Sequence, residues 1–117
     1  MWDSFDINAI NQEIKWATQI GFTKFRTFLH LQPFLDNKAE FLKKIQKYLT
    51  VLKKFNSKAL LVLFDDCWKA IYFSGEQPAP IPGVHNSQWV QCPGNIYHDL
   101  SVYEDYVKTI LTTFGSS

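Results

Sequence analysis

The sequence has neither a large net charge nor a long apolar run. Each absence excludes a class of protein. Its 117 residues hold 12 Lys and Arg against 11 Asp and Glu. The formal net charge of +1 gives no electrostatic argument for nucleic acid or an anionic membrane as a partner. The longest apolar run, Ala59–Phe64, is far shorter than the roughly 20 residues that span a bilayer. No apolar segment of the secretory type follows Met1, and localisation stays open.

Cysteine is also scarce, which excludes a disulfide-stapled scaffold. The two cysteines, Cys67 and Cys92, form no CxxC motif, and two thiols make no disulfide framework. We expect unpaired thiols, a single disulfide between them being the alternative. No spacing of metal-ligating residues is diagnostic, so we expect neither a metal nor a cofactor. A metal site built from His30, Asp65 and His85 is the alternative that the residue types allow.

Aromatic side chains are what the sequence has in abundance. It contains ten Phe, five Tyr and four Trp, within an otherwise ordinary globular composition. Trp68, Tyr72, Phe73 and Trp89 fall in one stretch without periodicity. Exposed aromatic planes suit flat apolar ligand faces such as sugar rings, whereas packing of core and loops is the commoner use of aromatic residues.

The first half of the chain predicts a helix, a strand and a second helix. Apolar spacing behind Asp6, a plausible N-cap, favours a helix over about Ile7–Ile20 that stops at Gly21. Thr23–His30 is rich in Thr and Phe and predicts a strand. Pro33 and Asp36 are expected to break the chain. An amphipathic helix then follows over roughly Lys38–Phe55, its apolar stripe consisting of Phe41, Ile45, Tyr48, Leu52 and Phe55.

The second half predicts one strand, a long loop and a last helix. Ala59–Phe64 is continuously apolar, which favours a strand buried on both faces. Residues 67–98 form an irregular loop, and loops of this length in compact domains are often functional. Ser101 and Glu104 form a capping box for the final helix, which Gly115 ends. The apolar stripe of that helix consists of Tyr103, Val107, Ile110 and Phe114.

Strands that alternate with helices predict βαβ units and a parallel sheet. Two parallel strands alone leave outer edges unpaired, so we expect a piece of a larger α/β protein. Self-association through those strand edges is the expected remedy. In such folds ligands bind at the carboxyl ends of the strands, where His30, Asp65 and Asp66 fall.

Four stretches are specific enough to compare with known families: LFDDCW, QPAPIPGVHNSQWVQCPG, FDINAINQEIKWATQIGF and KFRTFLH. They resemble a group of bacterial, cellulase-like TIM-barrel glycoside hydrolases of the family 2/family 5 type. The resemblance implies a partial (β/α)8 TIM barrel over residues 1–117. It would be a helix-strand-helix-strand-loop-helix slice with two parallel strands and a long loop of the active-site type over about 67–98. The substrate implied is a polysaccharide or oligosaccharide.

The resemblance also assigns roles to single residues. Arg26 matches an arginine that commonly hydrogen-bonds the nucleophilic carboxylate and keeps it ionised. His30 would face a sugar subsite, and Asp65 would close the next strand. The loop positions that match residues able to line the substrate cleft are Trp68, His85, Asn86 and Trp89. The alternatives are a surface ion pair for Arg26, a structural strand-end role for His30, a capping role for Asp65, and loop anchoring for the two tryptophans.

Departures from the family pattern are confined to a few loop positions. Asp66 and Cys92 stand where the family usually has Ser, and Lys69 stands where it has Asp, which puts a charge contact there in doubt. Retaining glycosidases need two carboxylates about 5 Å apart. The Asn-Glu dipeptide that carries the acid/base residue in this clan is absent from this chain. We therefore expect no catalytic residue here and no hydrolysis by this chain alone. The alternative is a non-catalytic carbohydrate-binding or self-assembling module.

Overall fold

The computed structural model describes residues 1–64, 75–76, 78–84 and 99–115. The described part of the predicted loop, residues 75–76 and 78–84, contains neither helix nor strand. The elements, in chain order, are α1 (Ile7–Gln19), β1 (Lys24–Phe28), α2 (Leu31–Asp36), α3 (Lys38–Lys54), β2 (Lys58–Val62) and α4 (Leu100–Phe114). The chain therefore has the mixed α/β architecture that the alternation of patterns predicts.

Both ends of α1 follow from local sequence. The Asp6 carboxylate accepts hydrogen bonds from the backbone N–H groups of Asn8 and Ala9, at 2.9 and 3.1 Å. These bonds satisfy donors that have no partner within the helix, so the predicted N-cap is confirmed. At the other end Gly21 has a φ of +98°, the left-handed conformation that glycine adopts without a steric penalty. The helix ends at Gln19, one residue before the predicted end.

Two expectations about helix starts are wrong. Pro33 does not break the chain but lies within α2, whereas α2 does end at Asp36. Pro33 is the third helical residue, and the first turn tolerates proline because its N–H would have no helical partner there. For α4 the N-cap is Asp99, whose carboxylate accepts from the Ser101 N–H at 2.9 Å. Ser101 is therefore inside the helix, and the predicted capping box does not form.

The strands β1 and β2 pair in parallel, as predicted, and Arg26 is the register partner of Leu60. The Leu29 N–H donates to the Val62 carbonyl at 2.8 Å, and the Lys58 N–H donates to the Thr23 carbonyl at 2.9 Å. Because backbone groups alternate between the two sides of a strand, odd-numbered residues of β1 bond to β2. The backbone groups of Lys24, Arg26 and Phe28 consequently point to the outer edge of β1.

The hydrophobic core lies on one face of this two-stranded sheet. Thr27 and Leu29 are 8% and 4% exposed and face the helices. Trp2 and the buried residues of the four helices form one continuous cluster with that face. In α4 the most deeply buried residue is Tyr106, at 0% exposure, although the predicted stripe had placed Tyr103 and Val107 there instead.

The opposite face corrects the prediction that Ala59–Phe64 is buried on both sides. Leu60 is 66% exposed, and its register partner Arg26 is also exposed. The apolar run matches a strand with two covered faces, but in the described residues only one face has a helical layer. We call the group formed by Lys24, Arg26, Lys58 and Leu60 the exposed face.

Candidate functional site

Arg26 lies in the middle of β1 and projects from the exposed face. Its guanidinium carbon sits 5.1 Å from the centre of the Phe28 ring, two residues along the same side of the strand. This cation–π contact holds the side chain over the sheet and leaves the guanidinium donors directed away from the core. Arg26 forms no ion pair with a described residue, so the surface ion pair considered above is not seen. A planar cation held in this way can bind a carboxylate or sugar hydroxyl groups.

His30 takes a different position from the one predicted. The strand ends at Phe28, and His30 is the N-cap residue of α2, without a capping hydrogen bond from its side chain. It is partly buried just beyond the carboxyl end of β1. Burial lowers the pKa of His30 from its usual value, while the charges of Asp3 and Asp36 oppose that shift. The imidazole is therefore held toward its neutral form, in which one ring nitrogen accepts and the other donates.

The other candidate residues cannot be placed relative to this pair. Asp65, Trp68, His85, Asn86 and Trp89 lie outside the described residues, as do Cys67 and Cys92. Their roles stay predictions.

One described residue of the loop does reach this region. The Gly75 N–H donates to the Asp3 carboxylate at 2.9 Å. Asp3 is also the acid whose charge acts most strongly on His30. The loop therefore passes beside the N-terminal segment at the carboxyl end of β1, which is where ligands bind in parallel α/β folds.

Sequence reasoning missed the residue that closes the outer edge of β1 at this end. The indole Nε1 of Trp2 donates to the Phe28 carbonyl at 2.8 Å. Trp2 is 5% exposed, and its ring meets Phe41 and Tyr48 edge-on, with centroid distances of 5.4 and 6.2 Å. Lys44 holds the segment through a 2.7 Å hydrogen bond from Nζ to the Trp2 carbonyl. The only sign of this role in the sequence is that Trp2, a large apolar residue, comes shortly before the N-capped helix α1.

The other strand is closed at the same end in the same way. The Tyr106 hydroxyl of α4 donates to the Leu63 carbonyl at 3.1 Å, one residue beyond β2. By the alternation of the ladder, that carbonyl points away from β1. Tyr106 is packed edge-on against Phe34 and Phe64, at 5.1 and 5.5 Å between ring centres. Two aromatic donors thus satisfy the outward carbonyls at the carboxyl ends of both strands.

A groove remains open beside the outer edge of β1. It has a volume of about 380 Å³ and is lined by residues of β1 and α1 and by Tyr48 of α3. The α1 wall consists of Ile10, Glu13 and Ile14, and the β1 wall spans Phe25–Phe28. Met1 lines it as well.

The described residues contain neither a group of metal ligands nor a membrane-spanning helix. Within the ranges given above, no three His, Cys, Asp or Glu side chains are grouped so that they could hold a metal ion. None of the described helices is long and apolar enough to cross a membrane.

Comparisons with protein-family models, with curated proteins and with solved structures found no match to this chain. The site therefore rests on the residues and their geometry alone.

Proposed function

We propose that this chain is an N-terminal or central part of a (β/α)8-barrel glycoside hydrolase that acts on a polysaccharide or oligosaccharide. In this proposal β1 and β2 are neighbouring barrel strands, and the chain provides substrate-binding residues rather than the catalytic pair. The proposal starts from the sequence resemblance of the loop and of the two strand segments.

The observation that supports it best is the position of Arg26. A barrel needs parallel strands with helices on the outer face, and the strand side chains that point away from the helices face the barrel interior. Here β1 and β2 are parallel, the helices cover the face of Thr27 and Leu29, and Arg26 is on the other face. The arginine thus has the orientation that contact with a carboxylate inside a barrel requires.

Each proposed role follows from side-chain chemistry. Arg26 would hold an anionic carboxylate through paired N–H donors, as the resemblance implies. His30, which burial favours in its neutral form, would exchange hydrogen bonds with sugar hydroxyl groups. Trp68 and Trp89 would stack on sugar rings, while Asp65, His85 and Asn86 would add polar contacts. No step of glycosidic bond cleavage is assigned to these residues.

Sugar binding tests the proposal on the chain as it exists. The ¹⁵N-labelled protein would be titrated with cello-, xylo-, manno- and chito-oligosaccharides while amide NMR shifts are followed. We expect weak, millimolar binding to at least one series, with shifts at Arg26, His30 and the loop. Hydrolysis of p-nitrophenyl cellobioside should stay at the uncatalysed rate.

Tryptophan variants provide the matched control. Trp68→Ala and Trp89→Ala should each weaken the binding, because each removes a proposed stacking platform. Trp16→Ala should not, since Trp16 is a 60% exposed tryptophan on α1 outside the proposed cleft. The absence of shifts with every sugar series, or equal effects of all three variants, would contradict the proposal.

The second candidate is a self-assembling or carbohydrate-binding module without a catalytic role. The observation that favours it is the exposed face, where Leu60 is 66% exposed and presents apolar area that a second copy would cover. Sedimentation at several concentrations distinguishes the two candidates. A defined oligomer, with or without sugar affinity, supports the module, and a sugar-binding monomer supports the barrel portion.

A further inference from the structure

The groove beside β1 combines two features of a strand-binding site. One wall offers the outward backbone N–H and C=O groups of Arg26, which no described residue pairs, and the same strand edge continues beyond the groove to Lys24. The other wall is α1, where Ile10 and Ile14, each 7% exposed, offer the apolar surface beside the exposed Glu13. A strand edge that faces an apolar helix favours an extended polypeptide, whose backbone pairs with the edge while alternate side chains pack on the helix.

The length of the site is limited at one end. Trp2 already occupies the Phe28 carbonyl, so a bound segment cannot continue the ladder past that point on the outer edge. The open part of the edge therefore centres on Arg26 and extends toward Lys24.

Charge argues against a second copy of this chain as the occupant. A symmetric antiparallel pair centred on Arg26 would place the two Arg26 side chains directly opposite each other. Centring the pair on Lys24 would do the same for two lysines, and like charges directly opposite are destabilising. Centring it on Phe28 is blocked by Trp2. These symmetric pairings of two β1 edges are therefore disfavoured.

The same charges indicate what the occupant contains. Neither Lys24 nor Arg26 forms an ion pair with a described residue, and Lys24 is flanked in register by Lys58, a further cation. Glu13 is the acid that lines the groove, and it lies on the helix wall rather than on the exposed face. A carboxylate opposite Arg26 would complement these cations, and apolar residues on either side of it would face Ile10 and Ile14.

We propose that the outer edge of β1 binds one extended polypeptide segment of the pattern apolar–acidic–apolar, with its carboxylate opposite Arg26. This inference does not depend on the proposed function, although both involve Arg26. Strand docking also uses Ile10 and Ile14 of α1, whereas sugar binding also uses His30 and the loop, so shifts at α1 or at His30 distinguish the two.

A pair of synthetic peptides tests this proposal. The probe is acetyl-Thr-Val-Glu-Val-Thr-amide, and its control carries Lys in place of Glu. With the ¹⁵N-labelled chain, the Glu peptide should shift the amides of Arg26, Ile10 and Ile14 and slow hydrogen exchange at the Arg26 amide. The Lys peptide should bind about tenfold more weakly, the difference between an attractive and a repulsive cross-strand pair.

Charge reversal supplies the decisive variant. Arg26 is exposed, so Arg26→Glu should leave the fold intact, which the amide spectrum verifies. The variant should prefer the Lys peptide over the Glu peptide. Equal binding of both peptides by the wild-type chain, shifts confined to other surfaces, or an unchanged preference in Arg26→Glu would overturn the proposal. A negative peptide result with positive sugar binding would leave the proposed function standing, and the reverse result would leave the docking site standing.

Discussion

The two faces of the β1–β2 sheet differ in what covers them. On the helix side Thr27 is 8% exposed and its hydroxyl shares a 2.7 Å hydrogen bond with the Tyr48 hydroxyl of α3. On the exposed face Leu60 is 66% exposed, beside the cations Lys24, Arg26 and Lys58. The first face is sealed by this chain's own helices. The second leaves apolar area and unpaired charge in water, which a ligand or a further layer of protein would cover.

The two edges of β1 repeat this difference. The inner edge is paired with β2 from Thr23 to Leu29. The outer edge is closed at Phe28 by Trp2 and faces the groove at Arg26. Stability should therefore depend on the sealed sides, and binding on the open ones. Four tests follow, from the largest expected effect on stability to the smallest.

The largest effect is expected where the sealed face is deepest. Ile45 of α3 is 0% exposed, so Ile45→Ala should lower the free energy of unfolding by about 2–5 kcal/mol. Leu60→Ala on the exposed face removes a side chain of the same size and should change it by less than about 0.5 kcal/mol. Urea unfolding measures both. Similar losses for the two variants would mean that the exposed face is covered.

The buried hydrogen bond between β1 and α3 should come next. Thr27→Val keeps the shape of the side chain but leaves the Tyr48 hydroxyl without its partner, which should cost about 1–3 kcal/mol. Adding Tyr48→Phe should recover part of that loss, because no buried hydroxyl then remains unsatisfied. A double-mutant cycle by chemical denaturation gives the coupling. Strict additivity would show that the two hydroxyls do not interact.

The closure of the outer edge of β1 is tested by Trp2→Phe. The variant keeps an aromatic ring but loses the donor to the Phe28 carbonyl, so we expect a loss of about 0.5–1.5 kcal/mol. Trp16→Phe is the control, since Trp16 is 60% exposed. Thermal unfolding of both variants makes the comparison. Unchanged thermal stability of the Trp2→Phe variant would show that Trp2 does not close this edge.

The smallest effect concerns His30 and pH. Its pKa is lower in the folded chain, because burial opposes the charge and outweighs the attraction of Asp3 and Asp36. The unfolded chain therefore binds more protons as pH falls below about 6.5, and stability should decline there. Urea unfolding of wild type and His30→Gln at pH 7.5 and 5.5 tests this point. The variant should lose less stability on acidification, and an equal loss would assign the dependence to other groups.

Local signals explain most of the fold. Asp6 and Gly21 delimit α1 because a carboxylate and a positive φ act within a few residues. The errors have local causes of their own. The sequence predicts a break at Pro33, but the first turn of α2 accepts proline, and it predicts a cap at Ser101, but Asp99 supplies the capping oxygen.

Long-range facts were beyond the sequence patterns. The apolar run Ala59–Phe64 favours a strand with two buried faces. How many faces of the strand are covered, however, depends on neighbours elsewhere in the chain. Trp2 and Tyr106 act through hydrogen bonds to residues distant in sequence, Phe28 and Leu63, which no periodicity encodes. At the candidate site, the strand position of Arg26 was predictable. The shift of His30 into the N-cap of α2 was not, because α2 itself was missed.

Native-state hydrogen exchange tests the difference between the sides of β1 most directly. The Thr27 amide lies on the side paired with β2, while the Arg26 amide points to the outer edge. In the chain alone we expect slow exchange at Thr27 and fast exchange at Arg26. Equal protection of the two neighbouring amides would mean that the outer edge is already occupied, and would contradict the account of an open side.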